Sequence, residues 1–275
     1  MIGFVYSVID PAGSGIAKYL VDSLKPDKST ACGNRAITCL EGDSFIIAGF
    51  KEDVIYFDFI DDELPYTVSH YIILSRHSSE AGIKSYTVHH TGNFSEEALY
   101  GGKGRELGIA YPSVSWMILR NIFEKRNEIN KTNFEVSYEA THHGPTSLSK
   151  PLVFVEIGSR IEEWSDIDNH AVIGEALIMY LENKPGKRCT PVIGIGGGHY
   201  PRKHTEIALV RDICYGHIMP KYALQYLDKP LLNMMTKRSF EKPVEIIAER
   251  KGIKLENRKL LEEFSDETGL ELKYI

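Results

Sequence analysis

The sequence predicts an α/β protein, in which short buried strands alternate with amphipathic helices. Two observations lead to this class. Apolar runs rich in β-branched and aromatic residues recur at residues 2–9, 71–74 and 152–157, and such runs are typical of buried strands. Apolar residues at helical spacing follow the first run and recur at residues 112–128. Neither an internal repeat nor an interdomain linker is visible, so residues 1–275 are predicted to form a single unit.

The first part of the chain predicts a strand, a turn and a helix, followed by further strands. A strand at residues 2–9 precedes a glycine-containing turn at 10–15 and a helix with Ile16 and Leu20 on its apolar face. The turn could hold a phosphate on free backbone N–H groups, but it matches neither the dinucleotide fingerprint nor the P-loop, which favours a simple tight turn. Residues 45–50 and 54–60 predict a hairpin, and residues 71–74 and 85–88 predict two more strands.

The second part predicts a helix at 112–128, strands at 134–138, 152–157 and 191–195, and a helix capped by Asp168. A helix starting at Pro220, a helix at 257–266 and a strand at 270–274 complete the chain. Residues 101–108 are rich in glycine and predict either a mobile loop over a site or a solvated linker. Residues 184–188 predict a basic turn.

Composition narrows the class of protein. The formal net charge of -6 argues against coating nucleic acid through bulk electrostatics, although a local basic patch is compatible with it. The four cysteines form no CxxC pair, so the sequence suggests neither a zinc ribbon nor a disulfide framework. We therefore expect a reducing compartment. The sequence shows neither a signal peptide nor an apolar run approaching a membrane span. We therefore expect a cytoplasmic protein with no membrane partner.

Histidines are placed unusually along the chain. Nine of the ten histidines are predicted in loops or at strand ends, and zinc binding or acid–base chemistry is the usual reason to gather imidazoles. The strand predicted at 71–74 leads to His77 and Glu80, and the strand at 191–195 leads through three glycines to His199. Two imidazoles and one carboxylate would leave an open zinc position for water. The alternative is an exposed turn that carries unrelated polar residues.

Three further side chains are candidates for catalysis. Glu156 could take a proton from water, or it could be a strand-end carboxylate paired with Arg160. His142 and His143 could bind a second metal ion, donate to an oxyanion or bind a phosphate, although loops also collect histidines without function. The sequence has no Gly-x-Ser-x-Gly elbow that would indicate a serine nucleophile.

These residues resemble the archaeal and plant type of D-aminoacyl-tRNA deacylase, and the resemblance covers essentially the whole chain. The motifs that carry it are Ser75-Arg-His77, Val88-His-His-Thr-Gly-Asn93, Thr141-His-His-Gly-Pro-Thr146, Phe154-Val-Glu-Ile-Gly-Ser159, Gly196-Gly-Gly-His-Tyr200, Gly216-His217 and Lys221-Tyr-Ala223. The resemblance implies a three-layer α/β/α fold with a mixed central sheet, similar to peptidyl-tRNA hydrolase and zinc carboxypeptidases. The carboxypeptidase kinship favours His77, Glu80 and His199 as metal ligands.

The resemblance also implies an activity and a partner. It implies hydrolysis of the ester between a D-amino acid and the terminal ribose of tRNA, by zinc-activated water, as part of translation quality control. The catalytic candidates are then His142, His143 and Glu156. The candidates for substrate binding are His89, His90, Asn93 and Lys221. We expect a monomer that binds the acceptor end of D-aminoacyl-tRNA.

Two other functions stay open from the sequence. One is a zinc-dependent peptidase or amidase on the same fold, and the other is a non-catalytic module that binds the acceptor end of tRNA. Basic side chains that could rim the site, or could be ordinary solvated charges, are Lys103, Arg105, Lys184, Lys187, Arg188, Arg202, Lys203 and Lys221.

Overall fold

The strands and helices are described from a computed structural model that covers residues 1–183 and 189–275. The basic turn predicted at residues 184–188 lies outside these residues. The strands are β1 Ile2–Ser7, β2 Asp27–Lys28, β3 Thr38–Glu41, β4 Phe45–Phe50, β5 His70–Ser78, β6 Ser85–His89, β7 Gly92–Asn93, β8 Glu106–Leu107, β9 Glu135–Tyr138, β10 Leu152–Ser159, β11 Thr190–Ile195, β12 Ile213–Met219, β13 Glu245–Ala248 and β14 Glu271–Tyr274. The helices are α1 Pro11–Leu24, α2 Ile60–Glu63, α3 Pro112–Glu128, α4 Ile161–Trp164, α5 Ile167–Glu182, α6 Arg202–Val210, α7 Lys229–Lys237 and α8 Leu255–Thr268, with 3-10 helices at Val54–Phe59 and Lys221–Tyr226.

A large mixed sheet forms the centre of the fold. Within the described residues its eight strands have the order β2-β3-β4-β1-β5-β10-β6-β9. The strands β4, β1, β5 and β10 are parallel, whereas β6 is antiparallel to β10 and parallel to β9. The predicted mixed α/β fold is therefore confirmed, and strand direction reverses between β10 and β6.

The two faces of this sheet bury different cores, because successive side chains of a strand point to opposite faces. In β1, Phe4 and Tyr6 pack with α1, α3 and α5. Val5 lies on the other face, where Val54, Phe57 and Ile60 of the 3-10 helix and α2 cover the sheet. The layer on this second face thus consists of short helices instead of long ones.

A second sheet, which the sequence did not predict, lies beside the first. Its order is β12-β11-β13-β14, all parallel, and it packs on residues of α7 and α8 such as Leu231 and Phe264. Val192 and Ile218 of this sheet also belong to the core under α3. The N–H of Thr141 donates to the carbonyl of Ile218 at 2.9 Å, so backbone hydrogen bonds join the two sheets.

Three local predictions were wrong. The helix α5 is capped by Asp166, whose side chain accepts from the N–H of Asp168, and not by Asp168 itself. Residues 54–60 form the 3-10 helix and the start of α2 instead of a strand. The helix α1 already begins at Pro11, because Asp10 caps it by accepting from the N–H groups of Ala12 and Gly13. The expected tight turn therefore lies inside α1. A side chain at Gly13 would meet the carbonyl oxygen of Leu74 at 2.5 Å, so this glycine allows the helix to pack closely on β5.

The cysteine prediction was also wrong. Disulfides join Cys32 to Cys39 and Cys189 to Cys214. The second one links the residue before β11 to the start of β12, and it closes the segment that carries His199. Disulfides also persist in intracellular proteins of hyperthermophilic archaea, so these bonds do not by themselves identify a compartment.

Candidate active site

Strand alternation places four polar side chains on one face of the main sheet. His77 in β5, His89 in β6 and Glu156 in β10 lie on the face opposite α1, α3 and α5. Glu139 directly follows β9. Their apolar neighbours Leu74, Val88, Tyr138 and Val155 lie in the core under the helices. Because β5 pairs with β10 and β10 pairs with β6, the polar side chains are neighbours at the position where strand direction reverses.

The first cluster consists of His89, His142 and His143, and their ligand atoms lie within 4.8 Å of one another. In each ring Nδ1 donates to a backbone carbonyl, at 3.3 Å to His90, 2.8 Å to Ala140 and 2.7 Å to Gly144 respectively. A carbonyl can only accept, so each Nδ1 carries the proton. The three Nε2 atoms are left with lone pairs. Histidines that bind a metal ion typically donate the N–H of their other ring nitrogen to a carbonyl or carboxylate in this way.

The second cluster consists of His77, Glu139 and His199. The Nδ1 atom of His77 lies 3.0 Å from Oε1 of Glu139, and the Nε2 atom of His199 lies 2.9 Å from its Oε2. Glu156 lies beside this cluster, with its Oε2 3.3 Å from Nδ1 of His77. Tyr200 places its hydroxyl 2.6 Å from Nε2 of His77.

Two buried groups in these clusters are unsatisfied. Within the described chain, neither oxygen of Glu139 nor Nε2 of His89 has a hydrogen-bond partner of good geometry, although imidazole nitrogens lie close to both oxygens. Buried polar atoms without partners are rare in native proteins, and a bound ion is one way in which such atoms are satisfied. The donor atoms thus face a shared space, and the residues present could hold a metal ion.

Burial keeps two imidazoles of the first cluster neutral. Burial and the neighbouring histidines hold the pKa of His142 well below its usual value. Burial, together with the nearby imidazole of His89, lowers the pKa of His143 to about 4. A neutral imidazole is the form that binds metal ions, so both rings are ready to bind near neutral pH.

The two carboxylates are ionised despite their burial. Burial would raise the pKa of Glu139, but the adjacent imidazoles of His199 and His77 hold this pKa well below its usual value. Burial likewise opposes ionisation of Glu156, whereas His77 and His89 lower its pKa to about 2. Burial opposes the charged form of His77 too, but Glu139 and Glu156 raise its pKa to about 11. The two carboxylates are therefore paired with imidazoles, and His77 would have to release a proton to bind a metal ion.

A pocket of about 670 Å³ opens onto these clusters. His142, His143, Glu156 and His199 form part of its lining, together with Asn93. Pockets of this size are typical of small-molecule and cofactor sites. The clusters are thus accessible from outside.

Several residues predicted from the sequence do not lie in the clusters. Glu80, the expected third metal ligand, is exposed and belongs to none of the convergent groups in the described chain; Glu139 lies there instead. His90 is buried, with Nδ1 bonded to the carbonyl of Gly216 and Nε2 to the N–H of Tyr111, so both of its ring nitrogens are occupied by the backbone. Lys221 is exposed and lies next to Tyr222, which lines the pocket.

The structure also places Asn93 and two further histidines. The amide of Asn93 donates to the carbonyls of Gly101 and Lys103 and thereby holds the glycine-rich loop. The expectation that nine histidines lie in loops or at strand ends was wrong for His204, which lies in α6, and for His217, which lies within β12.

Glu139 is the main residue that sequence reasoning missed. A signal for it was present, because Glu139 stands three residues before His142. This is the same spacing, in reverse order, as that between His77 and Glu80. Only the fold distinguishes between the two carboxylates.

Within residues 1–183 and 189–275, each helix is too short or too polar to cross a bilayer.

Comparisons with known proteins identify the family of this chain. A family model described as D-aminoacyl-tRNA deacylase matches residues 64–273. A relative of that name from Desulfurococcus amylolyticus is 59% identical over 275 residues, which is 100% of both chains. Another relative of that name, from Staphylothermus marinus, is 54% identical over 274 residues and 99% of both chains.

A solved structure also shares the fold. It is the crystal structure of a conserved protein of unknown function, with a TM-score of 0.90 and 31% sequence identity. The match covers 100% of this chain and 95% of that chain. The similarity therefore includes the strands and loops that carry the two clusters.

Proposed function

Because this chain belongs to the D-aminoacyl-tRNA deacylase family, we propose that it hydrolyses the ester between a D-amino acid and the terminal ribose of tRNA. The products are the free D-amino acid and tRNA, which makes the reaction a step of translation quality control in the cytoplasm. The observation that carries the proposal is the convergence of His89, His142 and His143 with Glu139 and Glu156. Three of these residues, His142, His143 and Glu156, line one open pocket.

Zinc is the proposed cofactor. The first cluster offers three imidazole nitrogens, the ligand set of a catalytic zinc site with an open position. The second cluster shares no residue with the first, so the side chains offer ligands for two ions. A bound zinc would polarise the ester carbonyl and make water a stronger nucleophile. Under this proposal His142 and His143, which the sequence analysis gave as catalytic candidates, hold the metal.

Glu156 is the proposed general base. Its side chain is ionised and lines the pocket, so a carboxylate oxygen can accept the proton of the attacking water. The same carboxyl can then return the proton to the ribose oxygen that departs. The ion pair with Arg160 that the sequence left open is not among the salt bridges of Glu156 in the described chain, which are to His77 and His89.

The acceptor end of tRNA needs few phosphate contacts. Lys103 and Lys221 are proposed to supply them. Lys103 follows the glycines of the loop at the pocket, and its side chain is 71% exposed. Lys221 forms no ion pair within residues 1–183 and 189–275 and precedes a residue of the pocket lining. An acidic protein can bind an acceptor end in this way.

The test is release of D-tyrosine from charged tRNA by the purified protein, with L-tyrosyl-tRNA as the control. We expect release from the D-form that stops after treatment with a chelator and returns with zinc. Activity that is insensitive to the chelator would exclude the zinc mechanism. Tight binding of tRNA without release would favour the binding module, and cleavage of a peptide panel instead of the ester would favour the peptidase.

A further inference from the structure

Exposed aromatic and apolar side chains stand at the rim of the pocket. Tyr100 is 68% exposed, Leu99 is 76% exposed and Tyr222 is 54% exposed, and all three belong to the lining of the pocket that contains the histidine clusters. Single exposed apolar residues are common on protein surfaces, whereas several around one pocket indicate a binding surface. The clusters themselves do not require these side chains.

The backbone beneath each tyrosine is fixed to a loop that carries site histidines. The carbonyl of Tyr100 accepts from the N–H of Gly144 at 3.0 Å, directly after His143. The N–H of Lys221, next to Tyr222, donates to the carbonyl of Gly197 at 2.9 Å, two residues before His199. The backbone at both tyrosines is therefore anchored to the loops that carry site histidines, while both rings are exposed.

Glycine is required for the close packing beneath Tyr100. Gly101 has φ +78, and a side chain there would meet the carbonyl oxygen of Ile55 at 2.0 Å. The loop can therefore lie against the 3-10 helix Val54–Phe59 only with glycine at this position. This contact fixes the loop on a second side, so the ring of Tyr100 is presented from a backbone that is held on both sides.

We propose that Tyr100 and Tyr222 stack on the adenine of the terminal nucleotide and so position the ester over the clusters. The inference rests on the proposed function. The ester must reach Glu156 and the histidines, whereas the body of the tRNA has to stay outside, so the terminal nucleoside passes the rim. Its base has a flat π-face that aromatic side chains recognise. The exposed, basic Lys221 beside Tyr222 suits the phosphate that follows this base.

The experiment compares two short RNA hairpins that mimic the acceptor stem, both charged with D-tyrosine. One ends in adenosine and the other ends in the same ribose without its base. For the natural protein we expect KM to be about tenfold higher for the RNA without the base, in the range that stacking of one base supplies. Tyr222→Ala should raise KM for the adenosine end about tenfold and add little for the end without the base. Tyr100→Ala should show the same selectivity.

The controls separate stacking from other roles. Tyr222→Phe keeps the aromatic ring, so this variant should discriminate between the two RNAs as the natural protein does. Tyr66→Ala is the matched surface control, because Tyr66 is 91% exposed and lies outside the pocket lining. The thermal midpoint of each variant checks that it folds.

Several outcomes would overturn the proposal. One is a natural protein that does not distinguish the two RNAs, and another is an equal loss on both RNAs in Tyr222→Ala. An effect that follows the size of the D-amino acid instead of the base would assign the rim to the amino-acid side chain. Binding of the uncharged RNAs, measured by fluorescence anisotropy, separates the two proposals. Base-dependent binding without hydrolysis would reject the deacylase function and support the stacking surface. Hydrolysis without base dependence would support the deacylase function and reject the stacking surface.

Discussion

The Nε2 atom of His199 lies 2.9 Å from Oε2 of Glu139, whose side chain is completely buried. The carboxylate follows β9 of the main sheet, and the imidazole follows β11 of the second sheet. The N–H of Ala140 also donates to the carbonyl of His199 at 2.8 Å. The candidate site is therefore completed only where the two sheets meet.

Replacement of this carboxylate should impair the site strongly. Glu139→Gln removes the negative charge between His77 and His199. We expect kcat/KM for D-tyrosyl-tRNA to fall by about 100-fold or more. Even substitution of residues that only contact metal ligands reduces metal affinity or activity by about 10- to 100-fold. The measurement is steady-state hydrolysis together with the zinc content of the purified protein.

The matched control is Glu80→Gln. Glu80 is exposed and was the ligand expected from the sequence, so the structure predicts almost natural activity for this variant. A large loss in Glu80→Gln with little loss in Glu139→Gln would show that the carboxylates have been assigned in the wrong way.

Under the proposed function, the two adjacent clusters, which share no residue, predict two zinc ions for each chain. His143→Ala should lose one of them, because it removes one of three imidazoles from the first cluster and leaves the second cluster intact. Elemental analysis of dialysed protein gives the stoichiometry. His170→Gln is the control, since His170 bonds to the carbonyl of Trp164 away from both clusters, and it should keep the natural zinc content.

Removal of zinc should also lower thermal stability. An ion that binds only the folded chain stabilises it by about 2.7 kcal/mol at a free concentration of 100 times its dissociation constant. Differential scanning calorimetry with and without chelator should show a lower midpoint for the chelated protein. An unchanged midpoint would argue that the clusters hold no ion.

The disulfide between Cys189 and Cys214 should stabilise the fold. It links residues separated by 25 positions, and closure of a loop of this length in the unfolded chain corresponds to about 3.5 kcal/mol. The double variant Cys189→Ala with Cys214→Ala should lose about this amount in chemical denaturation. Removal of the Cys32–Cys39 bond, with a separation of 7, should have a smaller effect of about 2.4 kcal/mol.

Stability should fall with acidification partly because of His70. Burial is the main cause that lowers the pKa of His70 from 6.5 to about 4, so the unfolded chain takes up a proton at higher pH than the folded chain. The stability of the neutral form is therefore complete above pH 6.5 and is lost progressively as pH falls toward 4. The loss amounts to at most about 3 kcal/mol.

The measurement for this prediction is the free energy of unfolding between pH 7 and pH 4. His70→Gln should show a shallower decline than the natural protein, because Gln does not titrate and can still face the hydroxyl of Tyr180, which lies 3.0 Å from Nε2. Parallel curves for the two proteins would assign the acid sensitivity to other buried groups.

Much of the fold could be predicted because its cause is local. The helix predicted at 112–128 coincides with α3, and the strand at 152–157 lies within β10. In α3 apolar residues recur at helical spacing, whereas β10 is a nearly continuous apolar run that is buried on both faces. Both patterns are visible over a few residues. The segment at 54–60 misled the prediction, because a buried 3-10 helix is as apolar as a strand.

The sequence by itself determined the α/β class, the family resemblance, and the loops in which site histidines occur. The tertiary structure decided that Glu139 and not Glu80 joins His77 and His199, that both ring nitrogens of His90 bond to the backbone, and that the cysteines pair. The physical reason is that local periodicity reports burial, whereas pairing depends on which distant strands become neighbours. Glu139 and His199 come from different sheets, so no local pattern could show that the two side chains meet.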